Sequence, residues 1–317
     1  MEHTRTMRIL LAGTPAFAKI AFENLLHCAH TDTESLTLEI IGLLTQPDRI
    51  FGRKKELKAP ETKEFVRSLF PNIPIFQPQR IDTHTIESIK ALQPDLILVV
   101  AFGQILPQAF LDIAPCLNLH ASILPNLRGA SPIQEMILAQ PKFFGVSVMQ
   151  MELGLDCGAI LGVGYVENCG ENLYTLSTRL AQRGAQVLWG VLKRLRTHSL
   201  VPLEQNNADS SYCTKITRQD GLITLKNAQE VYYKYLAYYG WPSVFVESGL
   251  KFTHIVGFEA QGFYKEGEII KILAHSALIG CKQGYLEIAS VQPPNKKEMP
   301  INAYLAGARL QEGACLL

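Results

Sequence analysis

The feature that most constrains the fold of this chain is an alternation of apolar strand-like runs with helical patterns, from residue 7 to residue 195. Residues 7–12 (MRILLA), 38–45 (LEIIGLLT) and 95–103 (DLILVVAFG) are apolar almost throughout. Such runs are typical of strands buried on both faces, and helices between the strands connect them in parallel. The N-terminal part therefore predicts an α/β fold with a Rossmann-like, mostly parallel sheet.

One strand-like run carries polar groups on one face. Residues 116–130 (CLNLHASILPNLRGA) begin as a strand and end as a polar turn. Successive side chains of a strand alternate faces, so Asn118 and His120 share a face that Ser122 continues. Polar groups at the carboxyl end of a parallel strand are typical of active sites in open α/β sheets. The simpler alternative is an asparagine and a histidine in the core, hydrogen-bonded to the backbone.

A second polar turn follows the strand predicted at residues 145–150, where the chain continues as MELGLDCG. Glycines on both sides of Asp156 predict a tight loop with unusual backbone angles. Asp156 then has two interpretations. It caps its own turn, or it brings a carboxylate beside His120.

Several observations argue against other classes of protein. The first strand is followed by AGTPAF, which lacks the G-x-G-x-x-G of dinucleotide-binding turns, so we do not expect the chain to bind NAD or FAD. The seven cysteines are scattered without a C-x-x-C pair, so we expect reduced thiols in a cytoplasmic protein and no zinc or other metal site. No apolar run approaches the ~20 residues that cross a bilayer, and no signal peptide precedes the first strand. We therefore expect no association with a membrane.

A basic stretch follows the second predicted strand. Residues 46–55 (QPDRIFGRKK) contain four cations, Arg49, Arg53, Lys54 and Lys55. Binding loops cluster after the strands of α/β sheets, and Phe51 among the cations suits contacts with RNA backbone and bases. We predict a mobile basic loop that binds RNA. The alternative is a solvated charge run, since the net charge of the whole chain is only +1.

The pattern changes after residue 200. Residues 201–212 (VPLEQNNADSSY) are polar and predict a linker, and five or six short strand-like runs separated by glycines follow it. This pattern favours a small β-barrel that resembles an OB-fold. Lys296 and Lys297 form a candidate basic patch on it. We predict a catalytic domain at 1–200, a linker at 201–212 and a C-terminal domain at 213–317.

Several of these motifs resemble the folate-dependent formyltransferases, and the resemblance covers nearly the whole chain. It is greatest to the branch of that family that formylates methionyl initiator tRNA. The motifs that carry it are MRILLAGTPAFA (7–18), TQPDRIFGRKK (45–55), VVAFGQILP (99–107), NLHASILPNLRGASPIQ (118–134), GVSVMQM (145–151), GLDCG (154–158), YGWP (239–242) and SVQPPNKK (290–297).

The resemblance implies an activity and its partners. It implies a monomeric enzyme that transfers the formyl group of 10-formyltetrahydrofolate to the α-amine of initiator methionyl-tRNA, without a metal. Two alternatives remain open at this point. A related enzyme would act on a small amine such as glycinamide ribonucleotide or an amino-sugar nucleotide, and an RNA-binding module would have an inactive α/β half.

The resemblance also implies roles for individual residues. Asn118 would donate to the developing oxyanion, His120 would move protons near neutral pH, and Asp156 would orient the imidazole and stabilise its cation. Cys157 and Ala159 depart from the residues usual in the family, and we expect the change in the folate loop to be tolerated. The residues expected to bind the folate donor are Phe102, Gly103, Ile105, Leu106, Ser122, Ile123, Leu124 and Pro125. The residues expected to bind tRNA are Arg49, Arg53, Lys54, Lys55, Lys296 and Lys297.

Overall fold

The computed structural model describes residues 5–32, 36–51 and 56–317. The chain divides into two compact units. The first unit comprises Met1–Pro132, Phe143–Glu167 and Ser177–Cys213, and the second comprises Ile133–Lys142, Asn168–Leu176 and Thr214–Leu317. The domain limits predicted above, at residues 200 and 213, remain predictions.

Strands and helices alternate along the first two thirds of the chain. In order they are β1 (Arg5–Gly13), α1 (Ala16–Thr31), β2 (Leu36–Leu44), β3 (Arg49–Phe51), β4 (Glu56–Lys58), α2 (Glu61–Leu69), β5 (Ile75–Phe76), α3 (Thr83–Lys90), β6 (Leu96–Val100), α4 (Gln108–Leu111), β7 (Cys116–His120), β8 (Arg128–Gly129), α5 (Pro132–Ala139), β9 (Phe143–Gln150), β10 (Ile160–Glu167), α6 (Leu173–Arg196) and β11 (Tyr212–Cys213).

The first unit contains a seven-stranded sheet in the order β10-β9-β7-β6-β1-β2-β5. From β7 to β5 every pairing is parallel, which confirms the predicted fold class. β9 runs antiparallel to β7, and β10 runs antiparallel to β9. The return of β10 follows from its short connection to β9, since a parallel return would need a long crossover. The apolar runs of β1 and β6 lie in the core, as their continuous hydrophobicity predicts.

The described part of the basic stretch after β2, which was predicted as a mobile basic loop, forms the two strands of a hairpin. β3 and β4 pair antiparallel, with Ile50 opposite Leu57. Cross-strand pairs of this kind stabilise a two-stranded ribbon. The many charged residues around Ile50 and Leu57 gave no indication of this pairing in the sequence. Both side chains are exposed, by 66 % and 69 %. Arg53, Lys54 and Lys55 lie outside the described residues.

The second unit contains an antiparallel sheet in the C-terminal part, where the short strands of a β-barrel were predicted. Its later elements are α7 (Ala228–Ala237), β12 (Val244–Phe245), β13 (Lys251–Glu259), β14 (Ile269–Ile272), β15 (Ala277–Gly280), β16 (Tyr285–Gln292), β17 (Met299–Pro300) and α8 (Ile301–Ala308). The strand order is β12-β13-β16-β15-β14, and β17 pairs with β16. Phe252, Ile279 and Ile288 are fully buried, because alternate residues of these strands face the core of this unit.

Candidate active site

β7 lies inside the sheet of the first unit, between β6 and β9, and carries Asn118 and His120. The face of β7 that bears Leu119 packs against helix α6 at Gly184, where an added Cβ would lie 2.5 Å from Leu119 Cδ2. Because side chains alternate along a strand, Asn118 and His120 project from the opposite face. Both are nearly buried, at 9 % and 6 % exposure. The sheet therefore holds two polar side chains in a site largely shielded from water.

The Asp156 loop, which we define as residues 151–159, joins β9 to β10. Gly154 has φ +131° and Asp156 itself has φ +51°, so the loop uses the left-handed region twice. A Cβ at Gly158 would collide with the backbone carbonyl of Gln150. These two glycines explain how the loop turns back tightly enough to bring Asp156 to β7.

The structure brings together the three residues predicted to be catalytic. Asn118 Nδ2 donates to Asp156 Oδ1 at 3.3 Å, and the backbone N–H of Gly129 donates to Asp156 Oδ2 at 2.9 Å. His120 Nδ1 lies 3.6 Å from Asp156 Oδ2. Of the two interpretations of Asp156, the geometry therefore favours a carboxylate beside His120.

The other ring nitrogen of His120 fixes its tautomer. His120 Nε2 lies 2.8 Å from the carbonyl oxygen of Leu127. A carbonyl only accepts hydrogen bonds, so Nε2 carries the proton and Nδ1 is the basic nitrogen. The alternative of a histidine hydrogen-bonded to the backbone thus applies to only one of the two ring nitrogens. One nitrogen is held by the backbone, and the other faces a carboxylate.

Sequence reasoning missed a group of residues that surrounds this cluster. The side chain of Arg128 is 1 % exposed, although arginine is rarely buried without partners. Its Nε donates to Gln205 Oε1 at 3.0 Å, and its Nη1 donates to Asn207 Oδ1 at 2.9 Å and to the Tyr212 hydroxyl at 3.1 Å. The hydrogen bond from Arg128 lowers the pKa of Tyr212. Three residues of the stretch predicted as a linker thus bind one buried guanidinium.

The residues expected to bind folate lie in two turns, after β6 and after β7. In the first turn Phe102 and Leu106 are buried in the core, whereas Gly103 is exposed with φ +82° and Ile105 is 93 % exposed. The carbonyl of Phe102 already accepts from Thr14 Oγ1 and Gln46 Nε2. A ligand can therefore reach the side chain of Ile105 and the exposed backbone of Gly103.

The second turn, residues 122–125, is more deeply buried. Ser122 is fully buried and its hydroxyl donates to the carbonyl of Asn126 at 2.6 Å. Leu124 packs with Met149 in a small apolar cluster. Ile123 and Pro125 are half-buried. A ligand would meet this turn through the latter two residues.

Arg49 is anchored at the base of the β3–β4 hairpin. Its Nη2 donates to Gln46 Oε1 at 2.8 Å. Asp48 beside it accepts from Gln77 Nε2 and from Lys63 Nζ, each at 2.7 Å. The hydrogen bond from Gln77 and the bond and charge of Lys63 lower the pKa of Asp48. Arg49 is exposed, with its guanidinium held by Gln46 and its neighbour Asp48 held by two donors.

The other predicted basic patch lies in the second unit. Lys296 and Lys297 are exposed in the turn after β16, and Gln292 Nε2 donates to the carbonyl of Lys296 at 2.9 Å.

Within residues 5–32, 36–51 and 56–317, no group of three or more His, Cys, Asp or Glu side chains is arranged to hold a metal ion. The helices in the described part of the chain include none long and apolar enough to cross a membrane.

Comparison with known proteins matches both parts of the chain to one family. Residues 7–192 match the Formyl transferase family, and residues 215–309 match the Formyl transferase C-terminal domain. The methionyl-tRNA formyltransferase of Helicobacter acinonychis is 44 % identical over 98 % of this chain and 100 % of its own length. That of Wolinella succinogenes is 43 % identical over 98 % of this chain and 99 % of its own length.

A solved structure shares the fold at low identity. The N-formyltransferase from Helicobacter canadensis is 16 % identical, has a TM-score of 0.63, and is matched over 90 % of this chain and 100 % of its own. With two curated relatives matched over nearly their whole length, this chain belongs to the formyl transferase family, in its group of methionyl-tRNA formyltransferases.

Proposed function

We propose that this protein transfers the formyl group of 10-formyltetrahydrofolate to the α-amine of initiator methionyl-tRNA. The observation that carries the proposal is the cluster of the buried Asn118 and His120 with the partly buried Asp156. It lies in a chain of which 98 % matches a methionyl-tRNA formyltransferase. The formyl transferase of known structure from Helicobacter canadensis was determined in complex with folinic acid, which supports a folate donor.

The reaction needs stabilisation of a tetrahedral intermediate. The neutral amine of the methionyl group attacks the formyl carbon, a new C–N bond forms, and the formyl oxygen becomes an oxyanion. The amide of Asn118 has two N–H groups, and one of them is directed at Asp156. The second donates to the oxyanion in a site shielded from water, where such a bond is strong. The bond between carbon and N10 of the folate then breaks.

The reaction also moves a proton from the attacking nitrogen to the leaving nitrogen. His120 Nε2 is held by the carbonyl of Leu127, so proton uptake falls to Nδ1. A proton on Nδ1 completes an ion pair with Asp156 Oδ2 at 3.6 Å. The same proton passes to N10 as the C–N bond breaks, which returns His120 to its neutral form.

The folate has a proposed surface on the first unit, and the tRNA has proposed contacts on each of the two units. In the first unit, the exposed Ile105 and the backbone at Gly103 contact the pterin. Arg49, with Arg53, Lys54 and Lys55 beyond it, binds the phosphates of the tRNA acceptor arm. In the second unit, Lys296 and Lys297 contribute further phosphate contacts.

The test is formyl transfer from 10-formyltetrahydrofolate to charged initiator methionyl-tRNA. Glycinamide ribonucleotide and a dTDP-amino sugar are offered in parallel reactions. We expect product on the tRNA only, and a loss of at least about 100-fold in Asn118→Ala or His120→Ala, in line with removal of an oxyanion donor or proton carrier. Formyl transfer to a small amine alone would show that this amine, and not the tRNA, is the substrate. Near-wild-type transfer by either variant would refute its proposed role.

The role of Arg49 has a separate test. Arg49→Ala is compared with Lys90→Ala, which removes an exposed cation from α3. We expect Arg49→Ala to raise KM for tRNA and to reduce its dependence on salt, because one phosphate contact is lost, with kcat unchanged. Equal effects of the two variants would show that Arg49 contributes only net charge.

A further inference from the structure

The geometry of residue 205 points to a role in the reaction. Gln205 Nε2 donates to the carbonyl of Asp156 at 3.0 Å and to the carbonyl of Gly158 at 2.7 Å. One amide group thus holds the backbone of the Asp156 loop on both sides of Cys157. The stretch from residue 203 joins the same loop region again, because Leu203 and Ile160 exchange backbone hydrogen bonds of 2.8 and 2.9 Å.

The orientation of the Gln205 amide is fixed from its other end. Arg128 Nε donates to Gln205 Oε1, and a guanidinium has no acceptor. Gln205 Oε1 must therefore face Arg128, which leaves Nε2 for the two carbonyls. Arg128 is itself held by Asn207 and Tyr212. The donor groups of Gln205 are thus set before any substrate binds.

The backbone next to Arg128 holds the catalytic side chains. The Leu127 carbonyl accepts from His120 Nε2, and the Gly129 N–H donates to the Asp156 carboxylate. The side chain of Arg128, through Gln205, holds the backbone of Asp156. One turn of chain therefore controls both the carboxylate and the loop that carries it.

The loop needs such a restraint because of its conformation. Asp156 has φ +51°, a region that residues other than glycine adopt only when the surrounding structure imposes it. The backbone of Asp156 is held through Gln205, and its carboxylate must stay near His120 Nδ1 for the proton step.

We propose that Gln205 is a positioning residue for Asp156, acting on the proton step through the backbone of the Asp156 loop. This inference rests on the proposed function for the identity of the reaction, but not for the contact itself. Removing the two donated bonds lets the carboxylate move away from His120. A misplacement of about 1 Å at a reacting group lowers the rate by as much as about 100-fold.

Two variants separate the contacts of Gln205. Gln205→Ala removes all of them. Gln205→Glu keeps the acceptor that faces Arg128 but has no N–H to donate to the two carbonyls. The matched control is Asn302→Ala in the second unit. Asn302 Nδ2 also donates to two backbone carbonyls, those of Leu273 and Ala274, at 2.8 and 3.1 Å.

The first measurement is hydrogen exchange of peptides that cover residues 151–159, followed by mass spectrometry on the whole protein. We expect faster exchange there in both Gln205 variants and no change in Asn302→Ala. This readout does not depend on the substrate. Unchanged exchange in the Gln205 variants would overturn the proposal, even if the protein transferred formyl groups as proposed.

The second measurement is the steady-state rate of formyl transfer to methionyl-tRNA. We expect kcat to fall about 10- to 100-fold in both Gln205 variants, with KM for each substrate unchanged. In an Asp156→Asn background, Gln205→Ala should cost nothing further, because residues that act as a unit are not additive. If Gln205→Ala lowered kcat as much in the Asp156→Asn background as in the wild type, the positioning role would be overturned. Faster hydrogen exchange in the Gln205 variants with a normal kcat would overturn it as well. Absence of transfer by the wild-type protein would instead refute the proposed function, and the exchange data would still decide the anchoring.

Discussion

Replacing Asp156 by asparagine changes one atom of the site and should nearly abolish transfer. Both carboxylate oxygens accept a hydrogen bond, Oδ1 from Asn118 Nδ2 and Oδ2 from the Gly129 N–H, and the backbone N–H can only donate. With the Asn118 amide oriented as it is here, an asparagine at position 156 directs its oxygen to the Gly129 N–H and its NH₂ group at the NH₂ group of Asn118. One hydrogen bond is then lost and a nearly buried N–H is left without a partner, which costs about 1–3 kcal/mol of stability.

The larger effect is on the imidazolium of the proposed proton step. At the 3.6 Å separation of His120 Nδ1 and Asp156 Oδ2, the attraction between unit charges at an effective dielectric constant of about 20 is about 4–5 kcal/mol. The neutral amide removes this attraction. The expected loss in kcat is about 10³-fold, since about 1.4 kcal/mol of transition-state free energy corresponds to a factor of ten.

The assay is single-turnover formyl transfer with the folate donor and charged tRNA bound in advance, so that chemistry is followed without product release. Asp32→Asn is the control. Asp32 Oδ2 accepts from Trp189 Nε1 and Lys193 Nζ, both at 2.7 Å, so this variant should lose stability and keep its rate. A rate for Asp156→Asn within tenfold of wild type would refute the charge-stabilising role of the carboxylate.

Three further predictions concern stability and thiol chemistry. The methyl group of Gly190→Ala in α6 meets open space, so this variant should raise the free energy of unfolding by about 0.5–1 kcal/mol through helix propensity. Gly184→Ala overpacks the contact with β7 and should lower the free energy of unfolding. Urea unfolding of both variants checks the opposite signs. Asp48→Asn should destabilise the protein at pH 7. The difference from wild type should vanish only as pH falls below 3.8 and through the lowered pKa of Asp48, which unfolding curves at pH 7 and at a series of pH values below 3.8 measure. Burial raises the pKa of Cys116 to about 12, so iodoacetamide at pH 8 should label the exposed Cys169 and spare Cys116, as peptide mass spectrometry would show.

Each of these has an outcome that contradicts it. Equal signs for the two glycine variants would mean that β7 yields to the extra methyl group. A pH-independent difference for Asp48→Asn would mean that its contribution is packing and not charge. Equal labelling of Cys116 and Cys169 would mean that the strand opens on the time scale of the reaction.

Local pattern determined much of the architecture. Continuous apolar runs predicted the buried strands β1, β2 and β6, because a strand covered on both faces has no polar side to present. Alternation placed Asn118 and His120 on one face of β7, and the glycines of the Asp156 loop predicted a tight turn. These features are encoded within a few residues, so a sequence displays them directly.

Charge and polarity did not indicate which residues of two stretches pair with other parts of the chain. The hairpin of β3 and β4 pairs Ile50 with Leu57, and the cations around these residues gave no indication of that pairing. The stretch at 201–212 has a linker's composition, yet Gln205 and two later residues are bonded to Arg128. The composition of a segment indicates how it behaves in water, but not which buried group it contacts in the folded protein.

The sequence by itself determined the fold class, the family and the three residues of the candidate site. Only the tertiary structure decided which nitrogen of His120 is basic, which donors hold Asp156, and that Gln205 reaches the loop of Asp156 across 49 positions of the chain. The physical reason is that a strand or a turn is specified by the periodicity of neighbouring residues. A hydrogen bond between distant residues leaves no period, and depends on where the folded backbone places its donors and acceptors.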